Sequence, residues 1–149
     1  IWIAPLPSSR ASFNLALKRC NLDLRFVKTS SIDAIASSIV HEATHARLWH
    51  RGIGYPEELR YRIESACIRR QLAFAHRLPA QRGVGVREEV KKMLTLAPSF
   101  WSNEEITKRR EGGELALARE AGIPDWLRRS LQGIRALFER SRTRLKGSA

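Results

Sequence analysis

The alternation of apolar and polar positions divides the chain into a short strand-like N-terminal part and a long helical remainder. Residues 1–6 read as a first strand, and Ser8 or Ser9 can cap a helix running through Phe13, Leu15, Leu17 and Cys20. Residues 22–28 alternate Leu22, Leu24 and Phe26 with Asp23 and Arg25, the period of two that marks a strand buried on one face. The period then changes. Ser30-Ser31-Ile32-Asp33 reads as a capping box ahead of Ile32, Ile35, Ile39, Val40 and Ala43, which fall at near-helical spacing, and Gly52, Gly54 and Pro56 end that helix soon after His50.

Pro56 is placed to open the next helix, with Glu57 and Glu58 in a first turn where the helix dipole favours anions. This helix is expected to run to about Leu78, where Pro79 halts it. Residues 80–86, containing Gly83 and Gly85, read as a loop, and residues 87–96 as a short helix. Residues 98–102 break it, with Phe100 and Trp101 plugging the core. Ser102 or Asn103 caps a helix through Ala121, weakened by Gly112-Gly113. Pro124 opens a last helix with Leu127, Leu131, Ile134 and Phe138 on one stripe and arginines opposite. The expected fold is α+β and predominantly helical: a small N-terminal sheet packed on the helix over residues 32–50, a second helix after it, and a helical C-terminal part over about residues 86–141. Residues 142–149 are expected to form a flexible tail.

A chain of 149 residues is long enough for one domain with a substantial core and short for two. Hydrophobic content of 43% with 28% charged residues, and no repeat or low-complexity segment, excludes a fibrous or largely disordered chain. No apolar run approaches the roughly 18 residues needed to cross a bilayer, and Ile1-Trp2-Ile3-Ala4-Pro5 does not make a signal peptide. Cys20 and Cys67 are too few for a disulfide scaffold and belong to no CxxC pair, which fits a reducing compartment and a cytoplasmic location. The net charge of +12 is spread along the chain, with one local cluster at Arg140, Arg142, Arg144 and Lys146. Such a surface can attract nucleic acid or an anionic surface weakly.

The candidate chemistry is concentrated in residues 41–45, His-Glu-Ala-Thr-His, in a chain with only four histidines. On a helix, His41 and His45 lie one turn apart on one face and can offer two imidazole nitrogens to one metal. Neutral imidazoles suit Zn²⁺, a catalytic zinc keeps one position open to water, and a carboxylate such as Glu42 can take that water's proton. The pattern is thus a mechanism as well as a spacing.

Two histidines leave a zinc site unfinished. His50 lies about 140° around the helix from His45 and about 180° from His41, so it cannot join them while the helix continues. It also misses the HExxHxxGxxH pattern, because Leu48 stands at the glycine position and Arg51 at the last histidine position. Glu64, nineteen residues after His45 on the following helix, is the better third ligand; Glu57, Glu58 and Cys67 are its rivals.

With His41, Glu42, His45 and Glu64 in place, residues 22–78 resemble the gluzincin branch of the zincin metallopeptidases, in a compact form. The resemblance implies a peptide-bond hydrolase with His41, His45 and Glu64 as zinc ligands and Glu42 as general base. It also makes residues 22–28 the edge strand along which an extended peptide aligns. The acidic residue that thermolysin-like members carry four positions after the glutamate ligand is Ile68 here. Peptide hydrolysis also needs a donor for the developing oxyanion. Tyr61, one turn before Glu64, is a candidate, with Tyr55, His50 and His76 beside it. The basic composition supports a second reading, a nucleic-acid-binding or regulatory module whose metal is structural or inactive, although the chain has no zinc finger, no basic stripe interleaved with aromatics and no clear helix-turn-helix.

Overall fold

The computed structural model describes residues 1–124, 126 and 127. The chain divides into two compact units, residues 1–113 and 114–149. The first holds a three-stranded mixed sheet, β1 (Trp2–Ala4), β2 (Ala11–Asn14) and β3 (Arg19–Asp23), followed by α1 (Leu24–Thr29), α2 (Ile32–His50), α3 (Glu57–Arg77), α4 (Ala80–Leu94) and a 3₁₀ turn (Pro98–Trp101). α5 (Asn103–Glu120) begins in the first unit, and its C-terminal part lies in the second. The class is α+β and predominantly helical, with the small sheet at the N-terminus. No helix among the described residues is long and apolar enough to cross a membrane. The expected helix opened by Pro124 and the tail after residue 141 fall outside the described residues, apart from Pro124, Trp126 and Leu127.

The sheet order is β1-β3-β2: β1 runs parallel to β3, with Ile3 opposite Leu22, and β2 runs antiparallel to it, with Phe13 opposite Cys20. Two sequence expectations fail here. Residues 11–23 form a hairpin in place of the expected helix through Cys20. Phe13, Leu15 and Leu17 recur every second residue, a strand spacing, and Leu15 and Leu17 are exposed in the turn. Asn14 Oδ1 accepts the Leu17 N–H at 2.9 Å, and Lys18 takes a positive φ of 47°.

Residues 22–28 are likewise not one strand. β3 stops at Asp23, whose side chain accepts the Phe26 N–H at 2.9 Å and so caps α1, with its other oxygen accepting the Leu6 N–H at 2.9 Å. Leu22 and Phe26, four apart, are buried while Leu24 is exposed, the signature of a helix start in place of a continued alternation.

α2 starts at the Ser31 cap, whose Oγ accepts the Ala34 N–H at 3.2 Å. It ends in a Schellman turn: Gly52, at φ +78°, donates to the Trp49 carbonyl and Ile53 to the Leu48 carbonyl. α3 begins at Glu57 with Pro56 as its N-cap residue.

α4 begins at Ala80, so the expected loop over residues 80–86 is helix. A Cβ at Gly83 would sit 2.7 Å from the Ala75 carbonyl oxygen, so glycine is needed because α3 and α4 cross closely there. Their seam is the apolar core: Ile68 and Ala75 of α3 against Val86 and Val90 of α4, with Leu72, Met93, Leu94 and Trp101 packed around them. Arg82 donates to both Asp33 oxygens at 2.9 and 2.7 Å, tying the first turn of α4 to that of α2. Buried Arg60 donates to the Trp101 carbonyl and to Asn103 Oδ1, each at 2.9 Å, which fastens the 3₁₀ turn to α3.

Candidate metal centre

The faces of α2 and α3 that meet each other carry polar groups at helical spacing. Ser37, His41 and His45 recur every four residues along α2, and Glu64, Cys67 and Gln71 stand at i, i+3 and i+7 along α3. His41 Nε2 and His45 Nε2 are 3.1 Å apart. The Glu64 carboxylate faces both, with Oε2 at 3.2 Å from the first and Oε1 at 3.3 Å from the second. Ligands on a tetrahedral zinc with bonds of about 2.0–2.1 Å are separated by about 3.3 Å. The three groups therefore stand at the spacing of three corners of such a tetrahedron. The Cys67 sulfur also lies within 4.8 Å of the ring nitrogens of His41 and His45.

Two residues without a role in the sequence reading hold His41 in register. Its Nδ1 donates to Gln71 Oε1 at 2.9 Å, and Gln71 Nε2 donates to Ser37 Oγ at 3.3 Å. With Nδ1 engaged by Gln71, Nε2 is the nitrogen that faces Glu64, and it is the atom a metal would take in exchange for its proton. Ser37 stands one turn before His41 and Gln71 two turns after Glu64, so spacing alone would have marked both.

Glu42 is buried and lines the same cleft as His41, His45 and Glu64. Burial raises its pKa; the charges of His41 and His45 oppose this, Glu64 adds to it, and the Phe13 backbone N–H, donating from β2, again opposes it. For Glu64 burial acts upward too, but the hydrogen bonds and charges of His41 and His45 win and hold its carboxyl down at about 2. Burial alone would lower the pKa of His41, yet its partner Glu64 raises it overall. Burial, reinforced by the Glu64 and Glu42 carboxylates, pushes the Cys67 thiol up.

Tyr55 occupies the place beside the donors. Its hydroxyl donates to Glu64 Oε1, its ring meets His45 edge-to-face at 5.4 Å, and the Arg60 guanidinium stacks over it at 5.1 Å from the ring centre. The Schellman turn at Gly52 makes this possible by sending the chain back over α3. Tyr61 does not line the cleft, whereas Tyr55 lines it and bonds Glu64, so of the two tyrosines only Tyr55 reaches the site. His50 and His76 are exposed, as are Glu57 and Glu58, and Glu57 is engaged with the Asn103 backbone and side chain.

The cleft has a volume of about 690 Å³, within the range of small-molecule and peptide sites. Ala11, Ser12 and Phe13 of β2 form one wall, and Val90, Met93, Phe100 and Trp101 contribute to an apolar one. β2 is an edge strand of the sheet, whereas β3, which takes up residues 22 and 23, is its centre. The strand beside the site is thus residues 11–14 and not residues 22–28. Comparison with protein-family models, with curated proteins and with solved structures finds no match to this chain.

Proposed function

We propose that this protein is a zinc-dependent peptidase, with His41, His45 and Glu64 holding the metal and Glu42 acting as general base. The observation that carries the reading is the set of three donors spaced 3.1–3.3 Å apart beside Glu42. Zinc held by these residues supplies Lewis acidity, polarising the scissile carbonyl and lowering the pKa of water to about 7. The rest falls to the chain's own groups.

Glu42 takes the proton of the attacking water and returns it to the leaving amine, a role open to a buried carboxylate that lines the cleft beside His41 and His45. The Phe13 N–H orients that carboxylate from the edge strand. An extended peptide adds alongside β2, its backbone pairing with outward-facing groups of that strand other than the Phe13 N–H, which Glu42 takes, and one side chain entering the apolar part of the cleft. The Tyr55 hydroxyl, already a donor to Glu64, is the group placed to turn toward the developing oxyanion. Gln71 and Ser37 keep the His41 ring fixed throughout.

The reading is tested by metal content and zinc-dependent cleavage of an unstructured fluorogenic peptide mixture. Purified protein is expected to hold one zinc, to lose cleavage on chelation, and to regain it on readdition. His45→Ala is expected to abolish stoichiometric binding. Protein that takes up no zinc, or that binds zinc and cleaves none of the peptides, overturns the proposal.

A further inference from the structure

Cys67 has no part in that mechanism, yet it is fully buried with its sulfur among the metal donors. A free thiol inside a protein is ordinarily a small apolar group packed among others. Here two imidazole nitrogens, of His41 and His45, lie within 4.8 Å of its sulfur, and the Glu64 and Glu42 carboxylates act on it through their charge. Its direction of approach is distinctive. His41, Glu42, His45 and Glu64 all line the cleft, whereas Cys67 does not. The sulfur therefore stands on the core side of the donor set, with the cleft on the other.

We propose that Cys67 is a fourth protein ligand, entering the metal's coordination from the core side, so that water and substrate would add from the cleft side as a fifth ligand. This rests on the zinc site of the preceding section. As the sulfur–metal bond forms, the thiol proton leaves to solvent and nothing is oxidised or reduced. A divalent cation among these groups reverses the local field that otherwise keeps the thiol protonated. The resulting donor set of two nitrogens, one carboxylate oxygen and one thiolate favours zinc, cobalt or cadmium over magnesium or manganese, because thiolate is the soft ligand of the set.

Cobalt(II) titration of the metal-free full chain tests this directly. Stoichiometric cobalt is expected to produce the visible d–d bands of a low-symmetry site together with a near-ultraviolet thiolate-to-cobalt charge-transfer band. Cys67→Ser is expected to abolish the charge-transfer band, keep d–d absorption and weaken cobalt binding by about tenfold to a hundredfold. Cys20→Ser is expected to leave all three unchanged. A wild-type spectrum with d–d bands and no charge-transfer band overturns the role of Cys67 while leaving the three-donor site standing, and it does so whether or not the Cys67 variant folds. Loss of the band in Cys20→Ser but not in Cys67→Ser also overturns it. A chain that binds neither cobalt nor zinc overturns the metal site itself.

Discussion

α3 is packed on two sides that differ in kind. Toward α2 it presents Glu64, Cys67 and Gln71 to His41, His45 and Ser37; toward α4 it presents Ile68 and Ala75 to Val86 and Val90. The apolar seam gains stability in proportion to the surface removed from water, about 25 cal/mol per Å². The polar seam strips water from two imidazoles and two carboxylates and recovers only part of that loss through mutual contacts. One helix thus carries both the desolvation cost of the site and the packing that supports it. The contrast implies that the site is held in shape by residues that never touch it, and that the two seams can be damaged separately.

The largest effect expected is on turnover. Glu42→Gln keeps the size and burial of the side chain but removes the proposed base, so the proposed hydrolysis is expected to fall by about 10²–10⁴-fold at unchanged zinc content. In the metal-free protein its thermal midpoint should be equal to or above that of the wild type, because a buried carboxylate that disfavours its charged form is replaced by a neutral amide. Wild-type turnover in this variant would remove Glu42 from the mechanism.

Ile68→Ala attacks the other seam. Ile68 is 1% exposed, and the cavity is expected to reduce unfolding free energy in urea by about 2–5 kcal/mol. Zinc affinity of the folded fraction should change by less than about twofold, since Ile68 contacts the apolar cluster and lies outside the donor network. A loss of affinity that matches the loss of stability would show that the two seams are one unit.

Gln71→Met is the reverse experiment. It removes the acceptor that fixes His41, so zinc affinity is expected to drop about tenfold to a hundredfold. The unfolding free energy of the metal-free protein should fall by about 1–3 kcal/mol, less than for Ile68→Ala, through the unpaired Nδ1 donor. Isothermal titration with zinc and urea unfolding give the two numbers on the same preparations.

What the sequence made legible follows the same division. His41, Glu42, His45 and Glu64 were readable because two helical periods, each local, bring them to single faces. Their meeting then needs only that α2 and α3 pack antiparallel after a short turn. Tyr55 over Tyr61 was not readable, because the choice depends on the path of residues 52–56 after the Schellman turn at Gly52. The hairpin of residues 11–23 is not legible in the run Phe13, Leu15, Leu17 and Cys20, because Leu15 and Leu17 belong to a turn that leaves them 44% and 57% exposed, not to a helix face. Asp23 looked like a polar strand residue because its two partners, the N–H groups of Leu6 and Phe26, are a tertiary and a local contact that compete with alternation. Gly83 looked like a loop residue because the Ala75 carbonyl that excludes a side chain belongs to another helix.

Asp23 supplies the smallest prediction and the control for the rest, since it lies in neither seam. Burial acts to raise its pKa, but the backbone N–H groups of Leu6 and Phe26 and the charge of Arg25 outweigh it and hold the carboxyl below its ordinary value of 3.8. A carboxylate depressed on folding contributes stability that is fully present above the unfolded pKa and is lost as pH falls through the lower folded one. Asp23→Ala is therefore expected to lower unfolding free energy by about 1 kcal/mol at pH 7. That difference should shrink as the pH drops below about 3.8, where the carboxyl of the unfolded wild type takes up its proton first, and be lost as pH falls through the lower folded pKa. At pH 7 the same difference should appear with and without zinc, because the cap on α1 shares no partner with His41, His45 or Glu64. Chemical unfolding of both proteins across pH, in chelator and in zinc, measures it. A zinc-dependent difference would mean that the sheet and the polar seam move together, with β2, which already donates to Glu42 from Phe13, as the element that couples them.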